Sequence, residues 1–359
     1  MISHLELFAG IGGFRRAIDL LGKDFLIETH CVGFSEIDKY ASSTYKVNYE
    51  TNNETEIGDI VSFTSDIQKV KALDDFKLLT GGFPCQSFSM MGKKKGFADQ
   101  RGNLFYRIID ILNIKNPPFI LLENVKNLQN HDEGRTFQEI VSILKKSGYK
   151  DVYSDIFNTS NFNLAQKRNR IFIFASRIKL PKGFLFNQDL VIESFKNLNK
   201  TSLLKQKNIL DVLDKNVDEK YFLSEKIKPT ILANGSKNFV SKSEINQLIA
   251  RPLTATMVKM HRACQDNYYS ENFLTSFDPL MYINKYYSKE ILATHRIRKL
   301  TPKEALNLQG FNIEFYNKAK DFGISDHQLY KQAGNAVSVN TAYAILHYLI
   351  IKQNILKLI

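Results

Sequence analysis

Over its first 175 residues the chain alternates short β-type apolar runs with amphipathic helical stretches, and no other feature restricts the fold as much. Candidate strands lie at 5–8, 31–34, 76–80, 119–122 and 170–174. Between them, residues 14–21, 103–112 and 136–144 carry apolar side chains at helical spacing. Alternation of this kind builds an α/β fold, a doubly wound and mostly parallel sheet with helices on both faces. Ligands of such sheets sit at the carboxyl ends of the strands. From about residue 180 the rhythm stops, and lysine, asparagine and serine crowd into 197–208 and 235–242. Order returns at Leu300-Thr301-Pro302-Lys303-Glu304. Thr301 as N-cap, Pro302 at the first helical position and Glu304 closing a capping box predict a helix over 302–309 that stops at Gly310. A last apolar helix over 337–351 reads as α/β core material, which makes the middle of the chain an insertion.

A chain of 359 residues exceeds what one compact core usually spans, so two domains are expected. The 43% hydrophobic and 24% charged content is that of a soluble globular protein. No apolar run approaches the roughly 20 residues that span a bilayer. The start, Met1-Ile2-Ser3-His4-Leu5-Glu6, lacks the basic and apolar regions of a signal peptide, so the expected location is the cytoplasm. Cys31, Cys85 and Cys264 are too few and too scattered for a disulfide framework, and no metal site is expected. The net charge of +12 points to a polyanionic partner. Residues 177–299 hold 21 Lys+Arg against 12 Asp+Glu, so most of the excess falls in that third. One part of the chain suits chemistry and another a grip on phosphates.

Three turns outline a nucleoside pocket. The first strand ends in Phe8-Ala9-Gly10-Ile11-Gly12-Gly13-Phe14, a glycine-rich turn that lets a ligand approach the backbone. The second ends in Ser35-Glu36-Ile37-Asp38, with an acid where ribose hydroxyls are usually held. Gly58-Asp59-Ile60 adds an acceptor for an adenine amino group and an apolar neighbour for its ring. Each alone has a bland alternative, a helix-packing turn or a solvated acid. With no phosphate-loop motif, the ligand need not carry a phosphate. After the strand at 76–80 comes Gly81-Gly82-Phe83-Pro84-Cys85-Gln86-Ser87-Phe88-Ser89, which turns a cysteine toward the cleft; its thiolate is a strong nucleophile. Glu123-Asn124-Val125 and Gln166-Lys167-Arg168-Asn169-Arg170 bring a carboxyl and guanidinium groups to the same edge.

These motifs, with Gln332-Ala333-Gly334-Asn335-Ala336-Val337 and Arg298-Lys299-Leu300-Thr301-Pro302, stand in the order found in the DNA cytosine-5 methyltransferases, and the chain resembles that family over nearly its whole length. The resemblance is to the bacterial or phage restriction-modification type. It implies the Rossmann-like methyltransferase fold with S-adenosyl-L-methionine as cofactor, held by Phe8, Gly10, Gly12, Gly13, Glu36, Ile37, Asp59, Ile60, Pro84, Leu104, Asn335 and Val337. Cys85 would be the nucleophile, with Glu123, Arg168 and Arg170 around the base. Glu6 stands where many members carry aspartate, and Ile37 where some carry an aromatic residue.

The implied reaction adds the Cys85 thiolate to carbon 6 of cytosine, which makes carbon 5 nucleophilic toward the methyl group. A base must be flipped out of the duplex to reach these groups. Gly92-Lys93-Lys94-Lys95-Gly96 reads as a basic loop closing over DNA, with Gln86, Ser89, Lys93 and Lys94 as contacts. The expected organisation is a catalytic and cofactor-binding domain over 1–178, a smaller basic target-recognition domain over 179–296, and a return to the catalytic domain over 297–359. Within the second, Arg251, Thr254, Lys259, His261 and Arg262 are candidate base or phosphate contacts. The partner is double-stranded DNA, with no membrane and no obligate protein partner, and the chain is expected to be a monomer. A tRNA cytosine-5 methyltransferase is the alternative, against which stand the basic insertion and the lack of that branch's Cys-Phe-Thr signature.

Overall fold

The computed structural model describes residues 1–84, 104–198, 201–234, 243–257, 259 and 261–359. They form two compact units. The first comprises 1–162, 169–203 and 337–359, and the second 163–168 and 204–336. The sequence reading places its divisions at 178/179 and 296/297, on the loss and return of the helix–strand rhythm.

The first unit is built on seven strands: β1 (Ile2–Leu7), β2 (Thr29–Phe34), β3 (Thr55–Glu56), β4 (Leu78–Gly82), β5 (Phe119–Val125), β6 (Asp151–Asn158) and β7 (Asn169–Ser176). Their order is β3-β2-β1-β4-β5-β7-β6. β3 to β5 run parallel, and β7 is antiparallel to both of its neighbours. The order reverses between β1 and β4, which makes their carboxyl ends the switch point where such sheets bind ligands. Central β5, Phe-Ile-Leu-Leu-Glu-Asn-Val, is buried along all but its last residue, as expected of a strand covered on both faces.

Side-chain alternation assigns the two faces. Leu5, Leu7, Leu79, Ile120, Leu122, Ile171 and Ile173 share one core with Val70, Ile108 and Ile140 from the helices Ile67–Ala72, Leu104–Lys115 and Arg135–Lys146. On the opposite face an aromatic cluster takes over, with Phe172 edge-on to both Phe14 and Phe157. There the helix Gly13–Phe25 buries Phe14, Ala17, Ile18 and Leu21, an i, i+3, i+4, i+7 stripe. It packs against Val339–Leu346, the last α-helix, which widens into a π-helical turn over His347–Lys352. The predicted terminal helix is thus present and belongs to the first unit.

The second unit contains a two-stranded sheet, β8 (Tyr268–Ser270) against β9 (Ile297–Lys299), and mostly short helices. The capping box forms as predicted. Thr301 Oγ1 accepts from Glu304 N at 3.2 Å, and Glu304 Oε2 accepts from Thr301 N at 2.7 Å. The helix it starts, Pro302–Asn307, ends three residues before Gly310. Arg298 lies beneath it and donates to both oxygens of Glu304, at 2.9 and 2.8 Å, with side chains 1% and 0% exposed. Among the described residues no helix is long and apolar enough to cross a membrane.

Candidate active site

In the first unit the groups expected to hold the cofactor include the turns that follow β1, β2, β3 and β4. Glu6, buried in β1, accepts from Phe14 N and Arg15 N at 3.2 and 3.1 Å, fixing the first turn of the helix that follows. Burial pushes its carboxyl up to about 8. Phe8 takes the left-handed backbone conformation at φ 53° and donates its N–H to Ser35 Oγ at 2.9 Å. Gly10 and Gly12 also have positive φ, so the chain doubles back between β1 and the helix at little steric cost.

Glu36 bridges the first two turns. Oε2 accepts from Gly10 N at 2.8 Å and Oε1 from Asp38 N at 2.7 Å. Burial raises its carboxyl above the ordinary range, and these two N–H groups pull it back. Ile37 beside it is 77% exposed. Asp59 caps the helix Ile60–Thr64 through Val61 N and Ser62 N, while the Ser62 hydroxyl holds its carboxyl below the ordinary range. Ile60 is buried, Pro84 exposed and Leu104 half-buried. Val337 lies directly over Gly13: a Cβ there would come within 2.4 Å of the Val337 carbonyl oxygen.

The acid and one arginine of the expected catalytic set meet. Arg170 Nε lies 3.0 Å from Glu123 Oε1. Their strands pair so that Glu123 faces Phe172 and Val125 faces Arg170, which puts both side chains on one face of the sheet. Gly82 sits between this carboxylate and Val337: its Cβ position would be 3.4 Å from Glu123 Oε2 and from Val337 Cγ2. Asn124, given no role from the sequence although it lies within Glu123-Asn124-Val125, donates to the Phe83 carbonyl at 2.8 Å and so fixes the chain two residues before Cys85. Ser35 was likewise unassigned; its place beside Glu36 was the available signal. Cys85, Gln86, Ser89, Lys93 and Lys94 lie outside the described residues.

In the second unit several expected contacts have internal partners. Arg168, expected beside the base, is buried and donates to the carbonyls of Leu253, Gly334 and Ala336. Arg251 donates to the carbonyls of Glu244 and Asp266. Arg262 pairs with Asp266 at 2.9 Å and donates to Thr254 Oγ1 at 2.6 Å. His261 lies 3.3 Å from the Tyr268 hydroxyl. Lys259, His261 and Asn335 are exposed. A basic residue in an irregular segment shows its charge in the sequence, whereas the carbonyls that a fold brings to it are not visible there.

The family described as C-5 cytosine-specific DNA methylase matches residues 2–350. The chain is 34% identical over 354 residues to the type II methyltransferase M.DsaV of Dactylococcopsis salina, covering 96% of this chain and 84% of that one. To M.NlaX of Neisseria lactamica it is 34% identical over 348 residues, 96% and 95% of the two chains. Among solved structures, the Entamoeba histolytica methyltransferase EhMeth shares the fold at a TM-score of 0.72 and 22% identity, over 98% of both chains. The S. pombe Dnmt2 methyltransferase does so at 0.69 and 20%, over 99% and 100%. The chain therefore belongs to the C-5 cytosine-specific DNA methylases.

Proposed function

We propose that the chain methylates carbon 5 of cytosine within one specific double-stranded DNA sequence, as the protective half of a restriction-modification system, with Cys85 as nucleophile. The Glu123–Arg170 pair at the carboxyl end of β5 is the observation that carries this reading. It presents a carboxyl and a guanidinium group side by side, as recognition of a cytosine edge requires.

S-adenosylmethionine, when bound, supplies the electrophilic methyl group. The residues of the first unit fit it. Glu36 accepts from Gly10 N at Oε2 and from Asp38 N at Oε1, and an ionised carboxylate has about four acceptor directions in all, so it suits vicinal ribose hydroxyls. Exposed Ile37 offers an apolar cover beside it. The Cys85 thiolate attacks carbon 6 of the flipped base, and the electron pair of the 5,6 double bond makes carbon 5 nucleophilic. Glu123 in its protonated form donates to ring nitrogen 3, drawing off the charge that the thiolate pushes into the ring, and Arg170 donates to the oxygen on carbon 2. After carbon 5 is methylated its proton leaves to a base, and the returning electron pair expels the thiolate.

Glu36→Ala is expected to weaken S-adenosylmethionine binding by about 1.5–3 kcal/mol, the worth of hydrogen bonds to a charged group. Titration calorimetry with the methyl donor, its demethylated product and NAD checks this; NAD should not bind. Unchanged affinity in Glu36→Ala would show that the carboxylate only braces the turn.

Residues 179–296 are proposed to read the DNA. Bisulfite sequencing of DNA from cells expressing the chain should reveal one methylated sequence. Exchanging 179–296 for the matching segment of a relative with another target should transfer that specificity. DNA binding should weaken with salt at a log–log slope of about −0.9 per phosphate neutralised. An active exchange protein that still methylates the original sequence removes recognition from this segment.

A further inference from the structure

We propose that Arg168 is a positioning residue for target recognition, which acts through main-chain carbonyls rather than by touching the base. This rests on the reading that 179–296 recognises DNA. The segment 165–168 runs beside 250–253. Ala250 N donates to the Ala165 carbonyl at 2.8 Å, and Lys167 N to the Ala250 carbonyl at 2.9 Å. Beyond that point side chains continue the ladder. Gln166 Oε1 accepts from Leu253 N at 2.9 Å, and Arg168 NH1 donates to the Leu253 carbonyl at 2.8 Å. Residues two apart in an extended segment point the same way, so both polar groups of the Leu253 main chain are held by one face of the motif.

The other arm of the guanidinium reaches the end of the helix Asp326–Asn335. NH2 donates to the carbonyls of Gly334 at 3.0 Å and Ala336 at 3.2 Å, near a helix end whose last carbonyls lack intrahelical donors. At this junction the backbones nearly touch. A Cβ on Gly334 would lie 2.2 Å from the Thr254 carbonyl carbon and 2.3 Å from Ala255 N. Arg168, 2% exposed, therefore ties three segments at one point, a task that suits a rigid planar fork and not an ammonium group.

The tie leads to the recognition segment. Thr254 directly follows Leu253, and its Oγ1 accepts from Arg262, which is held in turn by Asp266. Exposed Lys259 and His261 lie in sequence between these two fixed ends. Close-packed interiors transmit displacement, so releasing Leu253 should loosen whatever this stretch presents to DNA.

The test compares Arg168→Ala, Arg168→Lys, Gln166→Ala and the double variant Gln166→Ala/Arg168→Ala. Bisulfite sequencing gives the ratio of methylation at the target to methylation at sites with one base changed. Single-turnover rates at saturating DNA and methyl donor are measured alongside. Arg168→Ala should lower the ratio about tenfold, the scale of one base pair's discrimination, with a much smaller change in rate. Gln166→Ala should act in the same direction, and the double variant should be less than additive because both groups hold Leu253. Arg168→Lys should recover part of the ratio. A rate loss of about 100-fold or more with the ratio intact would put the guanidinium at the reacting base. Wild-type ratio and rate would show that nothing depends on the tie. If Arg168→Ala does not fold, the same comparison is made with Arg168→Lys and Gln166→Ala. Failure of the segment exchange removes the recognition reading itself. A successful exchange with an unchanged ratio in the Arg168 variants removes only this inference.

Discussion

Cys85→Ser is expected to lower methyl transfer by at least about 10⁴-fold, as loss of a covalent nucleophile does, because a serine hydroxyl at neutral pH does not add to carbon 6. Cys31→Ser and Cys264→Ser should remain active. Cys31 is unsuited to the role: it is buried, its thiol lies 3.3 Å from the Gly33 carbonyl, and burial pushes it up to about 12. Hardly any thiolate exists there at neutral pH. DNA with 5-fluorocytosine at the target supplies a second readout. Fluorine on carbon 5 cannot depart as a proton would, so the thiolate is not expelled and the adduct persists. A denaturation-resistant protein–DNA complex should form with wild type, Cys31→Ser and Cys264→Ser, and not with Cys85→Ser. Substantial turnover by Cys85→Ser would remove the assignment.

The largest effect on stability is expected at Arg298 and Glu304. Removing one partner of a buried ion pair leaves the other charge uncompensated and loses about 3–5 kcal/mol. Glu304→Ala should be worse than Arg298→Ala. The Glu304 carboxylate also accepts from Thr301 N at 2.7 Å and Asp214 N at 2.8 Å, so its loss strands two further donors. In Arg298→Ala those same donors still stabilise the carboxylate. Urea unfolding followed by circular dichroism measures both, and a loss below about 1 kcal/mol would be the behaviour of a surface pair instead.

The same residues show how far the sequence could be read. Leu300-Thr301-Pro302-Lys303-Glu304 was legible as a helix start because capping is local, fixed by residues three apart. That Glu304 also carries a buried guanidinium was not, since arginine at position 298 looks like any other surface charge. The parallel core was legible from apolar runs such as Phe119-Ile120-Leu121-Leu122, buried throughout. β6 was not, because Asp151-Val152-Tyr153-Ser154-Asp155-Ile156-Phe157-Asn158 is a half-buried edge strand with carboxylates and hydroxyls among its apolar residues. At the site, Glu123 and Arg170 were read as neighbours and meet at 3.0 Å. Arg168 was read as lying beside the base, and Arg251 and Arg262 as base or phosphate contacts. Their partners, carbonyls at Leu253, Gly334 and Glu244 and the Asp266 carboxylate, are set by tertiary folding and leave no mark in a spacing pattern.

The helix Gly13–Phe25 packs against Val339–Leu346, more than 300 positions later in the chain. During synthesis, at about 5–20 residues per second, the early helix waits on the order of tens of seconds for its partner to leave the ribosome. Phe14, Ala17, Ile18 and Leu21 face no finished core in that interval. Residues 204–336 form one uninterrupted run of the second unit and need only 163–168, already made, to complete it. The order of assembly thus departs from the order of translation: the middle of the polypeptide can settle first, and the beginning is completed only when residues 337–359 arrive.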